Sequence, residues 1–407
     1  MIELLAPAGD MEKLKTAIYF GADAVYFGGE VGGLRAGAGN LSIYEIKEAV
    51  QFLHKNDKQG YLTLNIYPHN DDIKILEKYI QRLKDIPIDA FIVSDPGVMC
   101  LLKNIIPNAE IHLSTQANTT NYMTAEFWAK LGVSRIVTAR EMTLEDIKKL
   151  HDKLPENIEI ESFLHGAMCI SYSGRCLLST FMTGRDGNRG ACTHPCRWEY
   201  NLVEKKRENE YYPIYEDQYG TYIMNSKDLC MIDKIKEMAE AGIKSFKIEG
   251  RMKSSYYVAT VVRAYRAAID DYEALNAGHK FDPTWLQELS KASHREFYHG
   301  FYFGNSLDEI GQNYLTSDYE RTYSFVGVVK ENLGNGLFLI EQRNKFSTGD
   351  EIEIFGKSIN YFTTTVQEMF DEDDALISSA PHPKQLVKLK LPSGTEKGFM
   401  LRKRKGQ

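Results

Sequence analysis

The chain has 407 residues, a formal charge of −7 and an apolar fraction of 43%. That length exceeds what a single core usually serves, so a large α/β barrel with an appended domain is expected. The apolar content excludes a disordered chain, and the acidic balance excludes a protein that grips polyanions through overall charge, so any nucleic-acid contact has to come from a local basic patch.

The opening Met-Ile-Glu-Leu-Leu-Ala-Pro-Ala-Gly-Asp carries neither a basic stretch nor a long apolar one, and no run of about 18 apolar residues follows. A cytoplasmic protein without membrane contact is expected. In such reducing surroundings cysteines serve as metal ligands or catalytic groups rather than as disulfides.

Short apolar or alternating runs at 2–6, 24–27, 61–66, 90–93, 110–114, 135–138, 158–163 and 245–248 read as eight strands. Helical periodicity fills most of the intervals, at 11–20, 43–55, 72–85, 98–105, 124–131, 144–154 and 229–241. Asp10, Ser42 and Thr143 stand as N-caps, the last followed three residues on by Asp146. Eight strands alternating with helices predict a (β/α)8 TIM-like barrel, because eight is the number at which parallel closure fills the interior with side chains; a doubly wound open sheet is the alternative. About 80 residues separate the seventh strand from the eighth, which places a long insertion, at about 165–228, on the face where barrel enzymes carry their sites.

Beyond the eighth strand, 254–273 reads as one long helix with a buried stripe that includes Tyr256, Val261 and Tyr265. Residues 276–318 are mixed, and the aromatic run 297–303 is expected to pack a core. From about 322, alternating segments at 325–329, 337–340, 351–354 and 387–391 are broken by Gly, Asn and Asp. They predict a small C-terminal antiparallel β-barrel domain, and with it a division into 1–320 and 321–407. The basic end, 401–407, is expected to be a mobile, solvated tail or a contact with a nucleic-acid backbone.

Polar residues follow nearly every strand, where a barrel has its mouth. Asn65, Ser94, Asp95, Ser114, Gln116, Asn118, Arg140, Glu141, His165, Glu249 and Arg251 are in such positions. Charged groups at strand ends are costly unless paired or used. His165, Glu249 and Arg251 are therefore candidates for catalysis, and Arg140, Gln116 and Asn65 for substrate binding, joined by Arg197 from the insertion. A structural bridge from Arg140 to Glu249 or Glu141 is the competing reading. Two arginines converging on one mouth suit an anionic small molecule such as a carboxylate. The glycines at 28, 29, 32, 33 and 37 match no phosphate-binding motif and read as a flexible loop.

Five of the six cysteines, Cys169, Cys176, Cys192, Cys196 and Cys230, fall within 62 residues with the spacing C-x6-C-x15-C-x3-C-x33-C. Thiolates are the natural ligands of zinc and of iron–sulfur clusters, and four can hold one group. Spacing alone does not choose the metal, so zinc competes with a cluster. Cys100, in an apolar helix, reads as a core residue. His165 and His194 are candidate ligands or proton donors. Arg175, Arg189 and Arg197 flank the thiols, where they can neutralise an anionic cluster or meet phosphate.

The run Glu161-Ser-Phe-Leu-His-Gly-Ala-Met-Cys169-Ile-Ser-Tyr-Ser-Gly174-Arg-Cys176-Leu-Leu-Ser179 resembles the signature of the collagenase-like peptidase family U32, element by element. Asn188-Arg-Gly-Ala-Cys192-Thr-His-Pro-Cys196-Arg-Trp198 and Asn225-Ser-Lys-Asp-Leu-Cys230 are similar to its second and third cysteine blocks. The resemblance covers about 1–304 and extends to the β-rich C-terminal domain.

It implies a 4Fe–4S protein that supports oxygen-independent hydroxylation of RNA bases or ubiquinone precursors. For this length and C-terminal domain it implies 5-hydroxyuridine formation at the tRNA wobble position, with tRNA as partner and prephenate as hydroxyl source. It also implies Cys169, Cys176, Cys192 and Cys230 as ligands, with Cys196 spare; Cys196 in place of Cys230 is the alternative. A metal- or thiol-dependent peptidase, as the family label says, is the rival. It would need one activated thiol with a positioned histidine, or a His-Glu-x-x-His zinc motif, and the latter is absent. A non-catalytic RNA-binding scaffold with a structural metal is the third reading.

Overall fold

The computed structural model describes residues 1–34, 39–169, 171–198, 216–217, 220–221, 226–275, 278–304 and 319–406. They fall into two compact units: 1–18, 22–253 and 295–319 form the first, and 19–21, 254–294 and 320–407 the second.

In the first unit, β1 (Glu3–Ala8), β2 (Ala24–Gly28), β3 (Gln59–Leu64), β4 (Ala90–Val93), β5 (Ile111–Leu113), β6 (Arg135–Val137) and β7 (Glu159–Ala167) lie side by side in chain order. Past a two-residue hairpin, β8 (Glu216–Asp217) with β9 (Gly220–Thr221), and the short β10 (Asp228–Cys230), the strand β11 (Ser245–Ile248) pairs in parallel with both β7 and β1. That double pairing closes an eight-stranded parallel barrel. Both faces of such strands are covered, so they read as apolar runs rather than alternating ones; β2 is buried at every position.

The connecting helices are α1 (Met11–Tyr19), α2 (Ile43–Lys55), α3 (Asn70–Leu83), α4 (Pro96–Ile105), α5 (Tyr122–Lys130), α6 (Leu144–His151), the short α7 (Leu178–Thr183) inside the insertion, and α8 (Ile235–Glu240). Their caps follow the sequence: Ser42 and Glu45 form a capping box on α2, Asp95 precedes Pro96 at the start of α4, and Thr143 caps α6. No helix among the described residues is long and apolar enough to cross a membrane.

The barrel interior is charged at one end. Arg135 donates to Glu3 at 2.6 Å, Glu159 at 2.6 Å and Glu161 at 3.4 Å, and Lys247 donates to Glu161 at 2.6 Å. Glu161 is fully buried. Burial, with the positive charges of Arg135 and Lys247, holds the nearby His112 imidazole well below its ordinary range.

The short β12 (Phe297–Tyr298) belongs to the first unit and pairs with β10. The second unit holds α9 (Ser255–Leu275), α10 (Pro283–Leu289) and the strands β13 (Tyr323–Gly334), β14 (Leu337–Gln342), β15 (Phe346–Ser347), β16 (Glu351–Phe355), β17 (Tyr361–Thr365), β18 (Met369–Phe370), β19 (Leu376–Ile377), β20 (Ser379–Ala380), β21 (Leu386–Lys390) and β22 (Met400–Arg404). Eight of these form an antiparallel sheet in the order β17-β16-β22-β13-β14-β21-β18-β19. Val326, Ile340, Ile354, Val387 and Leu401 are among the side chains of its core. Arg402 is fully buried, forks onto Glu288 at 2.6 and 2.8 Å and reaches Glu353 at 2.7 Å; Arg263 stands 3.4 Å from Glu288. This network ties both helices of the unit to its sheet.

Four expectations are corrected. Residues 401–404 are no tail: they lie in β22, between β16 and β13, because Arg402 finds two carboxylates there. The helix expected over 229–241 shortens to α8, since 228–230 pair with β7 as a strand. The run 297–303 begins as strand β12 and is only partly buried, with Phe303 exposed. Cys100 is exposed on α4, about 200° round the helix from the buried Val98.

Burial opposes ionisation of Glu288, but the Arg402 hydrogen bonds and the charges of Arg402, Arg263 and Lys291 outweigh it and hold its carboxyl below the usual range. A depressed folded value means that the stabilisation is complete above the unfolded value, about 4.3, and is lost as pH falls through the folded one. Glu288→Gln should cost roughly 3–5 kcal/mol at pH 7, because two buried guanidinium groups lose a charged partner. Denaturant unfolding of the full chain at pH 7 and below pH 4 checks this: the gap to the parent protein should narrow in acid, and a constant gap contradicts the assignment.

Candidate functional site

The barrel part of β7 ends near Phe163, but the strand runs on. The register against β11 shifts between Lys247 and Ile248, and the outer end of β7 turns to a new partner: His165, Gly166 and Ala167 pair antiparallel with Cys230, Leu229 and Asp228 of β10. Gly166 has φ +116°, and a Cβ there would stand 2.7 Å from the Glu249 carbonyl oxygen. Only glycine lets the two strand ends approach this closely. The chain thus leaves the barrel mouth along a fixed line, and Cys169 lies two residues past the end of β7.

The cysteine segment is stitched together by small hydroxyls. Ser179 Oγ donates to the Arg185 carbonyl at 2.6 Å and accepts from the Thr193 N–H at 3.1 Å, and Thr183 donates to the Ser179 carbonyl at 2.8 Å. Asn188 Nδ2 donates to the Cys176 carbonyl at 3.1 Å, and the His194 N–H to Cys192 Sγ at 3.4 Å. The barrel mouth holds the segment in turn. Asn118, in a left-handed conformation, donates to the Ser173 carbonyl at 2.6 Å, and Arg189 reaches both oxygens of Asp72 at 2.7 Å.

Together these parts enclose a cavity of about 190 Å³. Its barrel wall includes Thr63, Asn65, Gln116, Arg140, Lys247, Glu249 and Arg251; its other wall includes Cys169, Cys176, Cys192, Cys196, His194 and Asn188. None of the six cysteines is joined in a disulfide. Among the described residues no three His, Cys, Asp or Glu side chains already converge as they would around one bare ion.

Charge on the barrel wall is arranged in pairs. Arg140 lies 3.3 Å from Glu249 and 4.0 Å from the centre of the Phe163 ring, so the structural bridge anticipated for it is present inside the site. Lys247 pairs with Glu161 beneath the wall and lies 4.4 Å from the centre of the Tyr26 ring. Arg251 donates to Thr63 Oγ1 at 2.9 Å, to the Leu34 carbonyl and to Asn40 at 3.5 Å. A Cβ on Gly28 would come within 2.6 Å of this guanidinium, so the last residue of β2 clears space for it. Gln116 is nine-tenths buried and its Oε1 has no hydrogen-bond partner among the described residues.

Asn65, Gln116, Arg140, Glu249, Arg251, Cys169, Cys176, Cys192 and Cys196 therefore come together on one cavity. Cys230 and His165 do not line it: they are 3% and 2% exposed, opposite one another on β10 and β7, with the His165 ring 5.6 Å from Phe297. The side chain of Arg197 lies outside the described residues, as do Gly37 of the glycine loop and Asn225 of the third cysteine block. Sequence reasoning missed Lys247, although a lysine inside an apolar strand is itself a signal, being costly unless paired. It also missed the organising role of Ser179.

Two family models cover the chain: "Peptidase family U32" matches residues 9–312, and "Peptidase family U32 C-terminal domain" residues 321–402. The chain belongs to peptidase family U32. This U32 chain is 43% identical over 404 residues to "tRNA hydroxylation protein P1" of Bacillus subtilis (strain 168), covering 99% of the chain and 95% of that protein. It is 35% identical over 442 residues to "tRNA hydroxylation protein P" of Escherichia coli (strain K12), covering 98% and 96%. A third relative, "23S rRNA 5-hydroxycytidine C2501 synthase" of Escherichia coli (strain K12), is 37% identical over 269 residues, which is 66% of this chain and 39% of that protein.

Ser179→Ala should loosen the U32 cysteine segment, since the part-buried Arg185 carbonyl and Thr193 N–H lose the hydroxyl that joins them, at about 0.5–1.5 kcal/mol for each hydrogen bond. The expected readout is several-fold faster reaction of the cavity thiols with an aromatic disulfide reagent under native conditions, with an unchanged far-UV spectrum. Unaltered thiol kinetics would remove Ser179 from this role.

Proposed function

We propose that this chain is an RNA-modifying enzyme that hydroxylates uridine at C5 in tRNA, at the wobble position and without molecular oxygen, using a 4Fe–4S cluster and prephenate. The observation that carries the reading is the single cavity that joins a wall of thiols to the polar mouth of a barrel. The relatives support its substrate class: two are named for tRNA hydroxylation and one for a 5-hydroxylated pyrimidine of rRNA.

An enzyme acting on a base must take it out of the stack and into a pocket. Replacing C5–H by C5–OH removes two electrons from the base, so the site needs an oxygen source and an electron acceptor besides RNA. The thiols fit a cluster by their chemistry: none is tied up in a disulfide, and four of them face one cavity. When bound, a 4Fe–4S cluster supplies one-electron chemistry at a potential set by burial and hydrogen bonds to sulfur. Cys169, Cys176 and Cys192 are the ligands common to both candidate sets. Cys230 is the fourth by family resemblance and Cys196 the fourth by its place on the wall. A zinc ion in place of the cluster is the competing occupant.

On the barrel wall, Arg140, Arg251 and Lys247 offer cations to an anionic co-substrate, and guanidinium groups match carboxylates well. Asn65 and the Oε1 of Gln116, which has no partner among the described residues, add neutral polar contacts. Glu249 fixes Arg140, and His165 supports the strand pair that carries Cys230.

Two measurements test the reading. Anaerobically purified protein should be brown, with about four irons and four sulfides per chain; of Cys196→Ser and Cys230→Ser, the one that loses the colour names the fourth ligand. In cells lacking the protein, tRNA should lose its 5-hydroxyuridine-derived nucleosides, and Cys176→Ser should not restore them. A colourless zinc-only protein, or unchanged nucleosides, overturns the proposal, and gelatin cleavage abolished by one Cys→Ser change would install the peptidase instead.

A further inference from the structure

Beside the cysteine cavity lies a second concavity, an open groove lined by Asn118, Thr120, Ser171, Tyr172 and Arg175. Nothing in the reading above uses it. We propose that this groove is a subsite for the nucleotide flanking the target in a single-stranded stretch of RNA, with Tyr172 stacking on its base and Arg175 meeting its phosphate. The proposal rests on the RNA reading and adds where the strand lies.

Three observations carry it. Tyr172 lines both the groove and the cavity, so a strand in the groove delivers its neighbouring nucleotide to the thiol wall. Tyr172 is 49% exposed, although burying an aromatic side chain is normally favourable, and an exposed aromatic beside a polar trough suits a stacked base. Arg175 is exposed, and among the described residues it makes no ion pair and no carboxylate lines the groove. In a chain of net charge −7, that is the local cationic spot that an RNA backbone requires.

The surroundings agree. Leu177, Phe181, Met182 and Trp198 of the same segment are all exposed, Phe181 at 82%.

The test uses the full chain and a labelled anticodon stem–loop RNA with uridine at the wobble position, titrated at several salt concentrations. Tyr172→Ala should weaken binding roughly 10- to 100-fold while Tyr172→Phe binds as the parent does, because the ring face and not the hydroxyl is used. Arg175→Gln should lower the slope of log affinity against log salt by about 1. Iron content serves as the control that the thiol segment is intact. Parent-like affinity and salt slope in both Tyr172→Ala and Arg175→Gln overturn the subsite, as does equal weakening by Tyr172→Phe or displacement of the RNA by an unrelated extended peptide. The two proposals fail separately. Unchanged nucleosides in the deletion strain with weakened binding by Tyr172→Ala leave the RNA subsite standing without the hydroxylation. Lost nucleosides that both variants restore fully, with parent-like RNA binding, remove the subsite alone.

Discussion

A carboxylate with no access to water holds this barrel together at its seam. Glu161 belongs to β7, and its partners sit on the two strands that flank β7: Arg135 on β6 and Lys247 on β11. The pairing of β11 with β7 and β1 is what closes the barrel. A lone buried carboxylate would be strongly disfavoured, and so would a lone buried lysine. Each is tolerable only while the other strand stays in register, so the ion pair specifies the closure even if it adds little net stability. The same pair sets the charge under the cavity: Lys247 contributes to the wall from above Glu161, and its ammonium also faces the rings of Tyr26 and Phe163.

From that seam the site is built outward by backbone geometry. The outer end of β7 runs on past β6: His165 still pairs with Ile248 of β11, Gly166 permits the close pass by Glu249, and β10 takes the other edge of β7. The barrel wall of the cavity is therefore carried on strands and strand ends, while the thiol wall is carried on loops and short helices. Such a division asks different things of each half. The strand half needs paired charges, and it has them in Arg140 with Glu249 and Lys247 with Glu161. The loop half needs its backbone groups satisfied without a ladder, and Ser179, Thr183, Asn188 and Asn118 do that through side chains.

The regular parts of this architecture were legible because local physics decides them. Eight apolar runs separated by capped helices admit few folds, and Ser42, Asp10 and Thr143 begin helices for the reason expected, each bonding the backbone N–H three residues on. The misread parts are those in which a distant partner overrides the local pattern. Arg402 looks like part of a charged tail until Glu288, over a hundred residues earlier, is placed against it. Residues 228–230 carry helical periodicity but spend their hydrogen bonds on β7. The cysteines stood out by spacing, yet spacing is one-dimensional: it could not say that Cys196 faces the cavity while Cys230 is buried opposite His165.

The choice between hydrolysis and base oxidation turns on what surrounds a thiol. A nucleophilic cysteine is effective when one histidine is positioned to take its proton and the remaining groups stay out of the way. Here one histidine, His194, shares a wall with four thiols, and its best-defined act is a backbone one, the N–H donated to Cys192 Sγ. Such a hydrogen bond stabilises negative charge on sulfur without moving a proton, which suits a thiolate held permanently as a ligand. Opposite lie Arg140, Arg251 and Lys247, cations that would steady an anionic co-substrate facing anionic sulfur. On the proposed reading the cavity is then a meeting place for three anionic or electron-rich partners, and the paired carboxylates Glu249 and Glu161 keep its cations oriented until those partners arrive. A protease cleft has no evident use for that much positive charge set against that many thiols, whereas an oxidation that must bring a pyrimidine, an oxygen donor and an electron acceptor into one small space does.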